Sequence, residues 1–117
     1  MDTSPSRIFD LLPKLSLADK ALINHACEFA KKAHEGQLRK SGEPYYNHVF
    51  ATGMNLATLK MDADTIAAGI MHDVLEDTKV TEAEMTKEFG EHITKLVQGV
   101  TKLGKLRYSG MERHVES

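Results

Sequence analysis

Ile66-Ala67-Ala68-Gly69-Ile70-Met71-His72-Asp73-Val74-Leu75-Glu76-Asp77 is the stretch that decides how this chain is read. Six apolar or small residues lead without a break into a segment carrying four ionisable ones. The apolar half reads as a buried helix. An unpaired buried carboxylate costs on the order of several kcal/mol, so it must be neutralised, paired or bound to a metal. Residues four apart share a helix face, which predicts His72 above Glu76 and Asp73 above Asp77 on a central helix reaching about Leu75. A His-Asp pair at a helix end is more often a surface pair. The apolar run before it and the second carboxylate pair after it favour a site here, with metal ligands and acid/base partners laid along one helix.

The rest of the chain bounds that reading. At 117 residues there is room for one domain and a modest core. A hydrophobic content of 41% with 27% charged residues is that of a soluble globular protein. The net charge of −2 leaves no basic footprint for duplex nucleic acid. No apolar run approaches the ~20 residues of a membrane span. Met1-Asp2-Thr3-Ser4-Pro5-Ser6 has neither the basic start nor the apolar core of a signal peptide, so a cytoplasmic location is expected. Cys27, the single cysteine, has Ala26, Phe29 and Ala30 around it and reads as a core thiol.

Helical signals dominate, and the predicted fold class is all-α. A short helix over Ile8 to Leu12 stops near Pro13. Ser16-Leu17-Ala18-Asp19 has the form of a capping box, after which Ala18, Leu22, Ala26, Phe29, Ala30 and Ala33 recur at the helical period as far as Gly36. Residues 36–46 read as a loop punctuated by Gly36, Ser41, Gly42 and Pro44. The next helix carries Phe50, Gly53, Met54 and Ala57 on one face, and Asp62 caps the central helix. Thr81-Glu82-Ala83-Glu84 opens a short helix that ends at Gly90, and Ile93, Leu96, Val97 and Val100 mark a last one. The pattern dissolves after Gly104, and the tail 105–117 is left unassigned.

Two constellations carry chemistry. His48, off the Phe50/Met54 stripe, joins His72 and Asp73 as a third candidate ligand. Two imidazoles and a carboxylate suit Mn, Fe, Zn or a similar first-row ion, and three protein ligands leave positions open for water and substrate. Arg39-Lys40-Ser41-Gly42 places two cations in a glycine-containing loop that can receive phosphate or stack on a base. A solvated basic turn is the commoner meaning of such a loop standing alone. With Lys102, Lys105 and Arg107, these cations around an acidic centre suit a phosphorylated substrate. His25 and His34 are expected at the surface or half-buried.

His48 followed by His72-Asp73 resembles the HD superfamily of metal-dependent phosphohydrolases. The likeness is closer still to the hydrolase domain of RelA/SpoT proteins. It is carried by Phe29-Ala30-Lys31-Lys32-Ala33-His34, Arg39-Lys40-Ser41-Gly42-Glu43-Pro44-Tyr45, His72-Asp73-Val74-Leu75-Glu76-Asp77-Thr78, Phe89-Gly90 and Gly99-Val100-Thr101-Lys102-Leu103. The resemblance spans about residues 18–106. It implies an all-helical HD bundle over residues 1–117 that binds Mn²⁺ and removes pyrophosphate from the 3′ position of the alarmones ppGpp and pppGpp, guanosine tetra- and pentaphosphate. By motif position it makes His48, His72 and Asp73 metal ligands. Glu76 and Asp77 would orient or activate the attacking water and move protons. Arg39, Lys40 and Ser41 would contact the guanosine part, with Thr101 and Lys102 near the substrate. Alarmone synthesis is not expected, because the family's synthetase domain has no counterpart in the chain.

Two departures stand out. Val49 follows His48 where the family usually has Pro. The family's fourth metal ligand, an Asp in a later motif, has no match before Ser117. The expectation is therefore a bundle truncated at its C-terminus, a fragment or a shortened relative. Such a chain would bind metal more weakly and leave apolar surface open to self-association. A regulatory module that binds the nucleotide without turnover, and an HD phosphohydrolase for another nucleotide, are the alternatives. The intact Glu76-Asp77 pair disfavours the first, and the Arg39–Gly42 loop disfavours the second.

Overall fold

A computed structural model describes residues 2–100. They form α1 (Ser6–Leu11), α2 (Leu17–Ala33), α3 (Tyr45–Thr58), α4 (Ala63–Ile70), α5 (Val74–Asp77), α6 (Glu82–Phe89) and α7, helical over 91–100. The all-α expectation holds: among the described residues the only β pairing is an isolated bridge between Leu38 and Pro44.

Local chemistry explains most boundaries. Leu12 leaves the helical region at φ −132°, as the residue before a proline must. The Ser16 hydroxyl accepts from the Asp19 N–H while the Asp19 carboxylate takes the Ser16 N–H, closing the capping box of α2. Asp62 accepts from Thr65 N–H at 2.8 Å and starts α4. Thr81 accepts from Glu84 N–H to start α6, and Gly90 ends it at φ +89°. The end of α3 carries no glycine. Lys60 takes the left-handed conformation (φ 60°), with Lys60 N–H on Ala57 O and Met61 N–H on Leu56 O, the paired bonds of a Schellman turn.

Two boundaries differ from the sequence expectation. The third helix begins at Tyr45, inside the predicted 36–46 loop, because Pro44 supplies a helix-ready φ of −55° and needs no N–H partner there. The predicted central helix to Leu75 is two pieces, with a tight turn over 71–73 between α4 and α5. A continuing helix would send Gly69 O to Asp73 N–H. The His72 ring instead folds back and donates Nδ1–H to Gly69 O at 2.6 Å, backed by its own N–H at 3.4 Å. Val74 N–H then reaches Met71 O at 3.0 Å, a three-residue turn.

α4 is the centre of the fold, packed on α2 from one side and α3 from the other, with α1 against α3. Ile66, Ile70, Met71, Phe50, Ile23, Ile8 and Val74 are fully buried there. A Cβ at Gly53 would come within 2.8 Å of Ile70 Cγ1, and one at Gly69 would overlap Leu56 Cδ1, so these two glycines let α3 and α4 close together. Cys27 is buried as expected, and burial pushes its thiol above the usual range, which keeps it protonated and unreactive. Thr94, buried on α7, donates to Gly90 O and accepts from Thr86. None of the described helices is long and apolar enough to cross a membrane.

Candidate active site

The break after α4 turns the acidic segment out of the core. Met71 and Val74 stay fully buried, while the His72 and Asp73 side chains are 23% and 17% exposed and Glu76 and Asp77 are exposed. At the break His72 makes a direct contact with its neighbour, His72 Nε2 to Asp73 Oδ1 at 3.2 Å. Asp73 and Asp77 do keep their one-turn relation, with Asp77 N–H on Asp73 O at 2.8 Å.

The chemistry of the His72–Asp73 contact is informative. Gly69 O can only accept, so His72 Nδ1 carries a proton, and Nε2 is the ring atom that faces the Asp73 carboxylate. A proton shared between Nε2 and Oδ1, or a metal ion in its place, satisfies both atoms at their 3.2 Å separation. An Nδ1–H held by a backbone carbonyl is also how metal-ligating histidines are commonly oriented. The two atoms are of the kinds that a divalent first-row ion takes. His48 lies on the exposed face of α3, its ring 5.7 Å from that of Tyr45. No group of three His, Cys, Asp or Glu side chains among the described residues is drawn together closely enough to hold an ion.

Tyr45 links the parts. Its hydroxyl donates to Asp73 Oδ2 at 2.7 Å, and its ring lies 5.7 Å from that of His48 and 5.0 Å from that of His34. Burial, then the hydrogen bond and charge of Asp73 and the charge of Asp77, push the Tyr45 hydroxyl above its ordinary range, while nearby Arg39 pulls it the other way. Asp77 is likewise raised, first by burial and then by the charges of Asp73 and Glu76, with His34 and His72 opposing.

Arg39, Lys40 and Ser41 occupy an exposed hairpin-like loop, closed by Arg39 N–H on Glu43 O at 2.8 Å, Gly42 N–H on Arg39 O at 2.8 Å and Tyr45 N–H on Gln37 O at 2.9 Å. Gly42 turns it at φ +89°. Gln37 also donates its amide to Asp77 O at 2.6 Å, which orients Gln37 Oε1 toward His34 Nδ1 at 2.9 Å. His34 must then carry its proton on Nδ1. The expectation of a surface or half-buried His34 is wrong: it is 1% exposed, and its Nε2 is buried with no protein partner among the described residues. A cleft of about 580 Å³ opens beside Asp77, lined also by Gln37, Glu35, Thr78 and Lys79. Thr101, Lys102, Lys105 and Arg107 lie outside the described residues.

The fold thus brings His72, Asp73, Asp77 and, through Tyr45, His48 and the Arg39 loop into one neighbourhood. Tyr45, Gln37 and His34 were not singled out from the sequence. The available signal for Tyr45 was its position three residues before His48 on one helix face.

A family model described as HD domain matches residues 26–116. Among curated relatives, the guanosine-3′,5′-bis(diphosphate) 3′-pyrophosphohydrolase of Aquifex aeolicus is 51% identical over 86 residues, covering 74% of this chain and 12% of the relative. The bifunctional (p)ppGpp synthase/hydrolase SpoT of Escherichia coli is 48% identical over 86 residues, 74% of this chain and 12% of the relative. A protein named GTP pyrophosphokinase in Myxococcus xanthus is 46% identical over 91 residues, 78% of this chain and 12% of the relative. The chain spans about one-eighth of the length of each of these relatives.

Proposed function

The chain belongs to the HD domain family, and from that premise we propose that it takes part in metal-dependent hydrolysis of the 3′-pyrophosphate of (p)ppGpp, yielding GDP or GTP and pyrophosphate. The observation that carries the proposal is the His72–Asp73 pair, facing each other at 3.2 Å on the turn that leads into α5, which bears Glu76 and Asp77. The names of the relatives supply the substrate class.

His48, His72 and Asp73 would hold the ion, for which Mn²⁺ is the first candidate among first-row divalents. Such an ion, when bound, polarises a phosphoryl oxygen and lowers the pKa of water. The remaining work falls to the chain's own side chains. Glu76 and Asp77 orient the attacking water and accept its proton, and a raised carboxyl such as that of Asp77 suits proton transfer nearer neutral pH. Water adds to phosphorus as the bond to the 3′ oxygen breaks, and the proton returns to that oxygen as pyrophosphate leaves. Arg39 and Lys40 offset substrate charge and, with Ser41, receive the guanosine part. Thr101 and Lys102 are proposed to lie near the substrate.

The test is pyrophosphate release from ppGpp with added Mn²⁺, beside an Asp73→Asn control. Asp73→Asn preserves volume but removes the charged ligand, so both Mn²⁺ binding by calorimetry and pyrophosphate release should be lost. Mn²⁺-dependent release that survives Asp73→Asn would overturn the assignment.

A further inference from the structure

Tyr45 and Gln37 are the two feet of the Arg39–Ser41 loop, and both stand on the acidic turn. Tyr45 OH donates to Asp73 Oδ2 at 2.7 Å, and Gln37 Nε2 donates to Asp77 O at 2.6 Å. The feet are joined to each other by Tyr45 N–H on Gln37 O at 2.9 Å and by the Leu38–Pro44 bridge. His34 closes the rear of Gln37 through Nδ1 at 2.9 Å. The basic loop therefore touches the acidic turn at two points, one a side chain of a candidate ligand and the other the backbone of a candidate acid/base.

We propose that Tyr45 is a positioning residue that sets the orientation of the Asp73 carboxylate and, together with Gln37, couples the Arg39–Ser41 loop to the acidic turn. In its metal-binding consequence the inference rests on the function proposed above. A carboxylate turns easily about its last torsion, whose wells are broad. With Oδ2 held by Tyr45, Oδ1 is the oxygen presented toward His72 and an incoming ion. Partners of this kind commonly change metal affinity by roughly 10- to 100-fold when removed. The same bonds make the loop and the turn respond to each other: whatever orders one stabilises the other, reciprocally.

Tyr45→Phe keeps the ring against His34 and His48 and removes only the donor. Amide hydrogen exchange on the metal-free 117-residue chain reads the brace directly. Loss of a hydrogen bond to a charged acceptor should speed exchange roughly tenfold or more at Asp77 and, across the brace, at Arg39, Gly42 and Tyr45. Gln37→Met should reproduce the effect from the other foot. Thermal melts should show both variants folded. With Mn²⁺, Tyr45→Phe should bind roughly 10- to 100-fold more weakly by calorimetry and lower kcat more than it raises KM for ppGpp. A merely structural tyrosine would leave that kcat-to-KM split unmoved. Unchanged exchange in both segments overturns the brace whatever the metal does. Faster exchange with unchanged Mn²⁺ affinity overturns the positioning of Asp73. If wild type binds no Mn²⁺ while exchange still responds, the proposed function fails, the positioning of Asp73 toward a metal fails with it, and the coupling of loop to turn is supported.

Discussion

At the scale of single residues the candidate site is a set of carboxylates in different surroundings. Asp73 is half-buried, with Oδ2 accepting from Tyr45 OH and Oδ1 facing His72 Nε2. Glu76 is exposed on α5 and lies close enough to Asp77 to raise it. That division predicts different losses. Glu76→Gln should leave Mn²⁺ bound, because no ligand is removed, yet reduce turnover by roughly 10²-fold or more, the usual loss with a general acid/base. Calorimetry and single-turnover pyrophosphate release on the same variant check both halves. Full activity in Glu76→Gln would return the role to Asp77. The residue types of this site were legible in the sequence, since only a compensated cluster belongs beside so apolar a run. Tyr45 was not. A tyrosine opening a helix after proline has many uses, and its partner lies 28 residues away.

At the scale of elements, the starts of α2, α4 and α6 were legible because a cap is a contract among residues three apart. Ser16, Asp62 and Thr81 each accept the N–H the sequence predicts. Asp62→Ala should cost about 1 kcal/mol, seen as a lower urea midpoint with an unchanged slope. Hydrogen bonds from the Thr65 side chain and backbone hold the Asp62 carboxyl below its ordinary range. The stabilisation is thus present above the unfolded pKa, about 4, and is lost as pH falls through the lower folded value. The gap between wild type and Asp62→Ala should accordingly narrow in acid, and a gap that widened would contradict the cap. The break between α4 and α5 was illegible, since no Gly or Pro stands within 71–73 to announce it. It is made by a side chain, His72, competing for the carbonyl of Gly69.

At the scale of the whole molecule, the site's geometry depends on how closely α3, which carries Tyr45 and His48, approaches α4, which leads into His72 and Asp73. Gly53 and Gly69 set that approach. Gly53→Ala would press on Ile70 Cγ1, a methylene next to the branched Cβ of a fully buried side chain. Overpacking of this kind costs about 1–3 kcal/mol, against a helix-propensity gain of up to about 1 kcal/mol. The variant should therefore be less stable in chemical denaturation. Gly69→Ala should be milder, because it meets only the tip of Leu56, a half-buried side chain able to swing away. The reverse order would show that the two helices are held apart by something other than Ile70.

The all-helical class, the capped starts, the apolar face of α4 and the chemical kinds gathered after it follow from the sequence by itself. Each depends on periodicity or on contacts within about four residues, and those survive any tertiary arrangement. Tertiary structure alone decided that the predicted helix breaks at its most charged point, that His34 is sealed inside, and that Gln37 reaches Asp77, 40 residues on, while Tyr45 reaches Asp73. Those meetings are set by α4 lying between α2 and α3, and by which backbone carbonyls that packing leaves within reach of a side-chain donor.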